Sequence, residues 1–289
     1  MTRMLIALVE MLAWLPLPVV RGVGVIVGAV LWGLALERRK IAGINLALCF
    51  PQIPERQRKW MAFRVFVHFA QAWLDRGWLW RLSSDRLTQR LEWVGNLESL
   101  QTADPIIVFA PHFFGLDAGW TALGARLERP IATIYTPQRN RAADRWIRSG
   151  REKAHSRAQL FARDAGIRPV LAALQRGSVL YLLPDMDHGQ QGAEFVPFFG
   201  VPAATMTSLP RMARLCGARV VPLRTLITRT GYRIEVGSPW LNYPSDDTSA
   251  DALRMNHELE QMIQTHADQY YWLHKRFKTA APGTQSPYP

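Results

Sequence analysis

The sequence sets a histidine and an aspartate five positions apart, directly after an apolar run: PIIVF at 105–109 is followed by APHFFGLD at 110–117. Histidine is the side chain that changes charge most readily near neutral pH, and a carboxylate beside it fixes its tautomer. In a regular helix five steps turn about 500°, which leaves His112 and Asp117 on different faces. They can meet only across a bend, and Gly115 offers a place to bend. The stretch reads as strand, loop and then the helix AGWTALGARL. That sets His112 at the carboxyl end of a buried strand, where open α/β sheets commonly bind ligands. The spacing suits a plainer arrangement equally well, a hydrogen-bonded loop histidine and an aspartate at a helix N-cap.

Three further clusters carry chemistry-bearing side chains. LLPDMDHG at 182–189 also follows an apolar strand. Asp185 and Asp187, with His188, are candidates for a hard metal, for a turn closed by side-chain hydrogen bonds, or for holding a guanidinium in a half-buried site. Residues 139–168 hold nine Lys/Arg against three Asp/Glu. A solvated helix face is the ordinary explanation of such a run. Its one-signed excess, and its start just after a strand end on the His112 side of the sheet, fit a site for phosphate or another anion. YYWLHKRFKT at 270–279 interleaves aromatics with cations, a mixture used both in RNA binding and at membrane interfaces. The chain has no G-x-S-x-G elbow, phosphate loop, dinucleotide fingerprint or C-x-x-C. Without a serine or cysteine beside it in sequence, His112 is a general base for a hydroxyl that a substrate must bring.

These residues need a scaffold, and the chain from Pro105 onward supplies one. Apolar runs at 105–110, 131–135, 178–183, 219–223 and 232–236 alternate with helical patterns near 117–128, 139–160, 168–176, 206–216 and 249–266. The fold class expected is α/β, with a mainly parallel central sheet flanked by helices. Residues 60–80 carry aromatics at helical spacing, which fits a core helix or one lying on a bilayer. The apolar stretch Met4–Leu36 is interrupted by Arg21. Its second piece would be about 22 Å long as a helix, short of the roughly 30 Å hydrocarbon core. An interfacial or re-entrant anchor, or one bent span, fits better than a straight span, and a buried core helix pair is the alternative. Arg38, Arg39 and Lys40 would then set the following chain on the cytoplasmic side. The expected organisation is a membrane-anchoring segment at 1–40, an α/β domain at 41–280 and a flexible tail at 281–289.

The 289 residues are 48% hydrophobic, enough for one large domain, and the formal net charge of +12 calls for anionic partners. Two cysteines, Cys49 and Cys216, have no metal or framework spacing.

HFFGLD fits the H-x4-D/E motif of the lysophospholipid acyltransferase superfamily, and the chain as a whole resembles the late acyltransferases of lipid A biosynthesis. The matching pieces are ERRKIAGINLALCFP, APHFFGLDAGW, YTPQRN with the later Gly150–Arg151, LLPDMDHGQQGAEFVPFFGVPAATMT and QYYWLHKRFKTAAPG. One departure is Asp117, where many lipid A enzymes carry glutamate. The resemblance implies transfer of a fatty acyl group from acyl carrier protein to a hydroxyl of a lipid A precursor or a related glycolipid. It implies no cofactor, no metal and no nucleic acid, and a place on the inner membrane with the active site facing the cytoplasm. By the same resemblance His112 is the general base and Asp117 orients its imidazole. Arg151 contacts phosphate or developing negative charge, and Asp185 orients Arg151. A metal-dependent phosphohydrolase using Asp185 and Asp187 is the alternative chemistry.

Overall fold

A computed structural model describes residues 2–289; Met1, the first residue of the expected anchor, lies outside them. Four long helices open the chain: α1 (Thr2–Leu12), α2 (Leu17–Leu34), α3 (Leu36–Cys49) and α4 (Glu55–Leu79), with the short α5 (Ser84–Thr88) after them. Strands and helices then alternate as β1 (Leu91–Gly95), β2 (Ile106–Phe109), α6 (Leu116–Arg126), β3 (Ile131–Tyr135), α7 (Arg141–Glu152), β4 (Gln159–Ala162), α8 (Arg168–Gln175) and β5 (Val179–Leu182). The hairpin β6 (Ala193–Phe198) and β7 (Val201–Met206) follows, then α9 (Ser208–Cys216), β8 (Arg219–Ile227), β9 (Tyr232–Val236) and α10 (Thr248–Thr265).

Seven strands form one sheet in the order β1-β9-β8-β2-β5-β3-β4, and every neighbouring pair is parallel except β8 with β9. The expected mainly parallel α/β sheet is what the chain builds. β2 and β5 lie at its centre and are buried at every residue, as near-continuous apolar runs covered on both faces should be. Three parts of the strand pattern differ from expectation. The helix expected over 139–160 ends at Glu152, and residues 159–162 form the half-buried strand β4 at the sheet edge. β1 and the β6–β7 hairpin were not expected as strands. The hairpin pairs Pro197 with Pro202 and turns at Phe199 and Gly200, both with positive φ.

The amino-terminal helices also differ from a detached anchor. Arg21 does not divide the apolar segment, because α2 runs unbroken through it and the break falls at Pro16, ahead of the helix. Arg21 turns inward instead, donates to Asp75 at 2.9 Å and to the Gly231 carbonyl at 3.2 Å, and is 9% exposed. A Cβ at Gly28 would lie 2.6 Å from Val67 Cα, so only glycine lets α2 press this close to α4. The boundary expected at residue 40 falls inside α3, whose Asn45 donates to the Trp272 and His274 carbonyls at 2.8 Å each. α4 packs as a core helix along much of its length: Val65, Phe66, Ala70 and Trp78 are buried, although Trp60 near its start is 60% exposed. The tail expected to be flexible is fastened at Tyr288, which is buried and hydrogen-bonds Asn45 and the Phe277 amide.

Candidate active site

The site lies beyond the carboxyl ends of β2 and β5, and strand register builds its centre. Ile106 pairs with Val179 and Phe109 with Leu182, and the ladder continues as the Ala110 amide donates to the Leu182 carbonyl at 2.9 Å. The separation of 73 residues that pairs these strands is also the separation of His112 and Asp185. Each therefore leaves its strand at the same level. The His112 ring Nδ1–H donates to Asp185 Oδ1 at 2.7 Å, and the His112 backbone amide donates to Oδ2 at 2.9 Å. Tyr270 Oη adds a third bond to Oδ2, at 2.9 Å. Burial opposes a charge on Asp185, but His112 and these hydrogen bonds hold its carboxyl well below the ordinary range. A carboxylate at Nδ1 sets that nitrogen as the proton-bearing one in the neutral ring, and His112 lines the cavity.

Asp117 stands elsewhere. Gly115, whose Cβ would meet the Thr225 carbonyl at 2.5 Å, lets α6 start hard against β8. Asp117 then falls in the first turn of α6, where its two oxygens take separate arginines. Arg151 Nε from α7 donates to Oδ1 at 2.8 Å, and Arg76 Nε from α4 donates to Oδ2 at 2.7 Å. Burial would raise the Asp117 pKa, but the two guanidinium groups outweigh it and hold the carboxyl at about 2. The pairing expected from the resemblance is thus exchanged. Asp185, not Asp117, holds the imidazole, and Asp117, not Asp185, holds Arg151. The H-x4-D spacing explains why: five steps through a bend and into a helix carry Asp117 onto the face that meets α4 and α7.

His112, Asp117 and Arg151 line one cavity of about 800 Å³, within the roughly 300–1,000 Å³ usual for small-molecule sites. Asp185 lies buried behind His112. The lining is apolar at Phe69, Trp73, Phe114 and Tyr271 and basic at Arg76, Arg151, Arg163 and Lys278. Phe69, Ala72, Trp73 and Arg76 recur at helical spacing along one face of α4, so a single helix supplies both kinds of lining. The segment 270–279 holds the site together from behind. The Tyr271 amide donates to the His112 carbonyl at 3.0 Å, and Tyr270, Trp272, Arg276 and Phe277 are buried. Its interleaved aromatics and cations divide between packing and the cavity: Trp272, Arg276 and Phe277 are buried, Tyr270 reaches Asp185, and Tyr271, His274, Lys275 and Lys278 line the cavity. Asp187 accepts from the Thr279 amide and hydroxyl at 2.8 and 2.7 Å and from the Gly189 amide at 2.9 Å. Asp185 and Asp187 therefore point at different protein donors and are not gathered as a ligand set, so the metal-dependent alternative finds no support here. Among the described residues no group of three His, Cys, Asp or Glu is placed to hold a metal.

Sequence reasoning missed Arg76 and Tyr270. Arg76 lies 41 residues from Asp117 in a helix whose signal was entirely aromatic. Tyr270 stood within a quoted motif, but only register shows that it reaches Asp185.

Known proteins match the chain over most of its length. The chain is 32% identical over 281 residues to the lipid A biosynthesis palmitoleoyltransferase of Escherichia coli K12, covering 95% of this chain and 90% of that one. It is 31% identical over 280 residues to the lauroyltransferase of the same organism, with the same coverage. To its myristoyltransferase it is 31% identical over 261 residues, 88% of this chain and 80% of that one. Among solved structures, the 1-acyl-sn-glycerophosphate acyltransferase PlsC of Thermotoga maritima aligns with a TM-score of 0.39 at 16% identity, over 79% of this chain and 98% of that one. The model of the bacterial lipid A biosynthesis acyltransferases matches residues 1–279, and the chain is an acyltransferase belonging to that family.

Proposed function

We propose that this enzyme moves a fatty acyl group from acyl carrier protein to a hydroxyl of a lipid A precursor, by direct attack with His112 as general base. The observation that carries the reading is the His112–Asp185 pair, which leaves Nε2 as the basic nitrogen of a ring that lines the cavity. Nε2 takes the proton of the acceptor hydroxyl as its oxygen attacks the thioester carbonyl. The C–S bond breaks, and the carrier's thiolate recovers the proton from the imidazolium. Asp185 stabilises that imidazolium, as the buried carboxylate of a catalytic triad does. No covalent acyl-enzyme is needed, because holding both substrates together can supply roughly 7–11 kcal/mol of the barrier. Cys49 is buried and its thiol is pushed well up by burial, and neither cysteine lines the cavity.

The basic cavity wall suits a phosphate-bearing acceptor and an acidic carrier that docks electrostatically. The acceptor lives in a bilayer, and the outward side of α1 and α2 suits that surface. Met4, Met11, Trp14, Ile26, Val30 and Leu34 are each more than half exposed there, and α2 is long and apolar enough to cross a membrane. Its firm packing on α4 favours embedding in the cytoplasmic leaflet of the inner membrane over a free span.

Purified protein given labelled acyl carrier protein and a lipid A precursor should yield a product one acyl group heavier by mass spectrometry. Without acceptor, the denatured protein should carry no label. No heavier product would reject the reaction, and stoichiometric label on the protein would reject direct transfer.

A further inference from the structure

Arg76 belongs to no motif, yet it is built into the cavity wall with care. Asp117 holds Arg76 and Arg151 each by Nε, one arginine to each carboxylate oxygen, which leaves terminal nitrogens of both for another acceptor. The Arg76 Nη1 is buried and has no hydrogen-bond partner. That atom is shut off from the cavity, so Arg76 meets a ligand through its other terminal nitrogen, for which the described residues supply no acceptor. The Trp73 ring lies 4.2 Å from the Arg76 guanidinium and fixes its plane. One carboxylate against two guanidinium groups leaves the wall positive, and both arginines share the cavity with His112. On its other side Arg76 borders a smaller cavity of about 270 Å³ that also meets Arg81, Arg145 and Lys153.

We propose that Arg76 and Arg151, braced by Asp117, form a two-arginine clamp that grips a phosphate ester of a bound substrate and so sets the reacting group against His112. The proposal rests on the acyl-transfer reading above. Two guanidinium groups held at fixed planes match a tetrahedral phosphate, whose several oxygens accept charge-assisted bonds from both. The ester belongs either to the lipid acceptor or to the pantetheine arm of the carrier, and one experiment separates the two.

Transfer is measured for the wild type, Arg76→Gln and Arg76→Lys with three substrate sets: both substrates intact, a dephosphorylated lipid acceptor, and an acyl-pantetheine donor without phosphate. With intact substrates Arg76→Gln should raise the KM of the phosphorylated partner about 10- to 100-fold, with kcat changed less. Arg76→Lys should recover part of this, since lysine keeps the charge but not the planar guanidinium. The penalty should vanish with the dephosphorylated acceptor if the clamp holds the lipid, or with acyl-pantetheine if it holds the carrier. Either result supports the clamp. An equal penalty with all three sets, or a loss in kcat alone, would overturn it. Should Arg76→Gln fail to fold, Arg76→Lys decides by the same comparison, since a purely structural ion pair would weaken all three sets alike. If the wild type transfers nothing, the acyl-transfer reading is at fault, and the clamp is then read without turnover. Quenching of tryptophan fluorescence by phosphorylated lipid A precursor should weaken at least tenfold in Arg76→Gln, and an unchanged affinity would overturn the clamp.

Discussion

The cavity has two charged walls, assembled by different means. On one, His112 and Asp185 leave neighbouring parallel strands at matching levels, and backbone ladder geometry alone brings them to 2.7 Å. On the other, Asp117, Arg76 and Arg151 come from three helices, and they meet only because α4, α6 and α7 pack against one another. The first wall stands directly on the sheet core, where Ile106, Ile107, Val179 and Leu180 are fully buried. The second depends on side-chain packing between helices. On the proposed mechanism, a site divided this way keeps its proton-transfer geometry fixed while the wall proposed to hold substrate gives or tightens.

Breaking the first wall should have the largest effect. His112→Ala should lower kcat by about 10²–10⁴-fold, the usual worth of a positioned general base, while the circular dichroism spectrum stays that of the folded protein. Near-normal turnover would remove His112 from the chemistry.

The comparison is sharpest between the two carboxylates. Asp185→Asn should approach the His112→Ala loss, because the imidazole loses the partner that fixes its tautomer. Asp117→Asn should act mainly on the KM of the phosphorylated substrate, since it loosens the arginines and leaves the imidazole held. Steady-state kinetics of the two variants decides the matter. If Asp117→Asn loses kcat as His112→Ala does while Asp185→Asn is mild, the motif aspartate serves the imidazole during turnover and the division of walls fails.

A third change tests what stands behind α4. Arg21→Ala leaves Asp75 buried at 0% exposure without its cation, and should cost about 3–5 kcal/mol of stability by denaturant unfolding. A loss below about 1 kcal/mol would show that α2 adds little to the hold on α4.

The smallest effect expected is in acid. Asp117 is held at about 2 against an ordinary 3.8, so the folded state binds its proton less readily than the unfolded chain does. The stability it contributes is complete above the ordinary carboxylate range and is lost as pH falls towards about 2. The gap in unfolding midpoint between the wild type and Asp117→Asn should therefore narrow on acidification from pH 4 to pH 2, and a constant gap would assign the effect to other groups.

Much of this was legible in the sequence, and the failures have physical causes. Buried central strands such as PIIVF announce themselves, and so did the stations of His112 and Asp185 at their ends. β4 was hidden because QLFA is short, half-buried and continuous with a charged helical pattern. The β6–β7 hairpin was hidden by Pro197 and Pro202, which argue against a strand until the two are seen opposite each other, both exposed. The four expected residues are gathered around one cavity, which His112, Asp117 and Arg151 line and behind which Asp185 holds His112. Their partnership was not legible, because sequence spacing reports positions along one element, whereas register and helix packing decide which positions meet. Arg76 was invisible for the same reason.

The contact of α2 with α4 at Gly28 has a mechanical consequence. α4 presents Phe69, Trp73 and Arg76 to the cavity from the same rod that α2 grips. If the outward side of α1 and α2 rests in lipid, the enzyme does not swing on a tether. It floats like a keeled hull, with the keel joined to a rib of the hold. The height of His112 above the acyl chains is then a fixed dimension of the molecule. On the proposed reaction, an acceptor hydroxyl would have to rise by that distance, whatever the length of chain it carries.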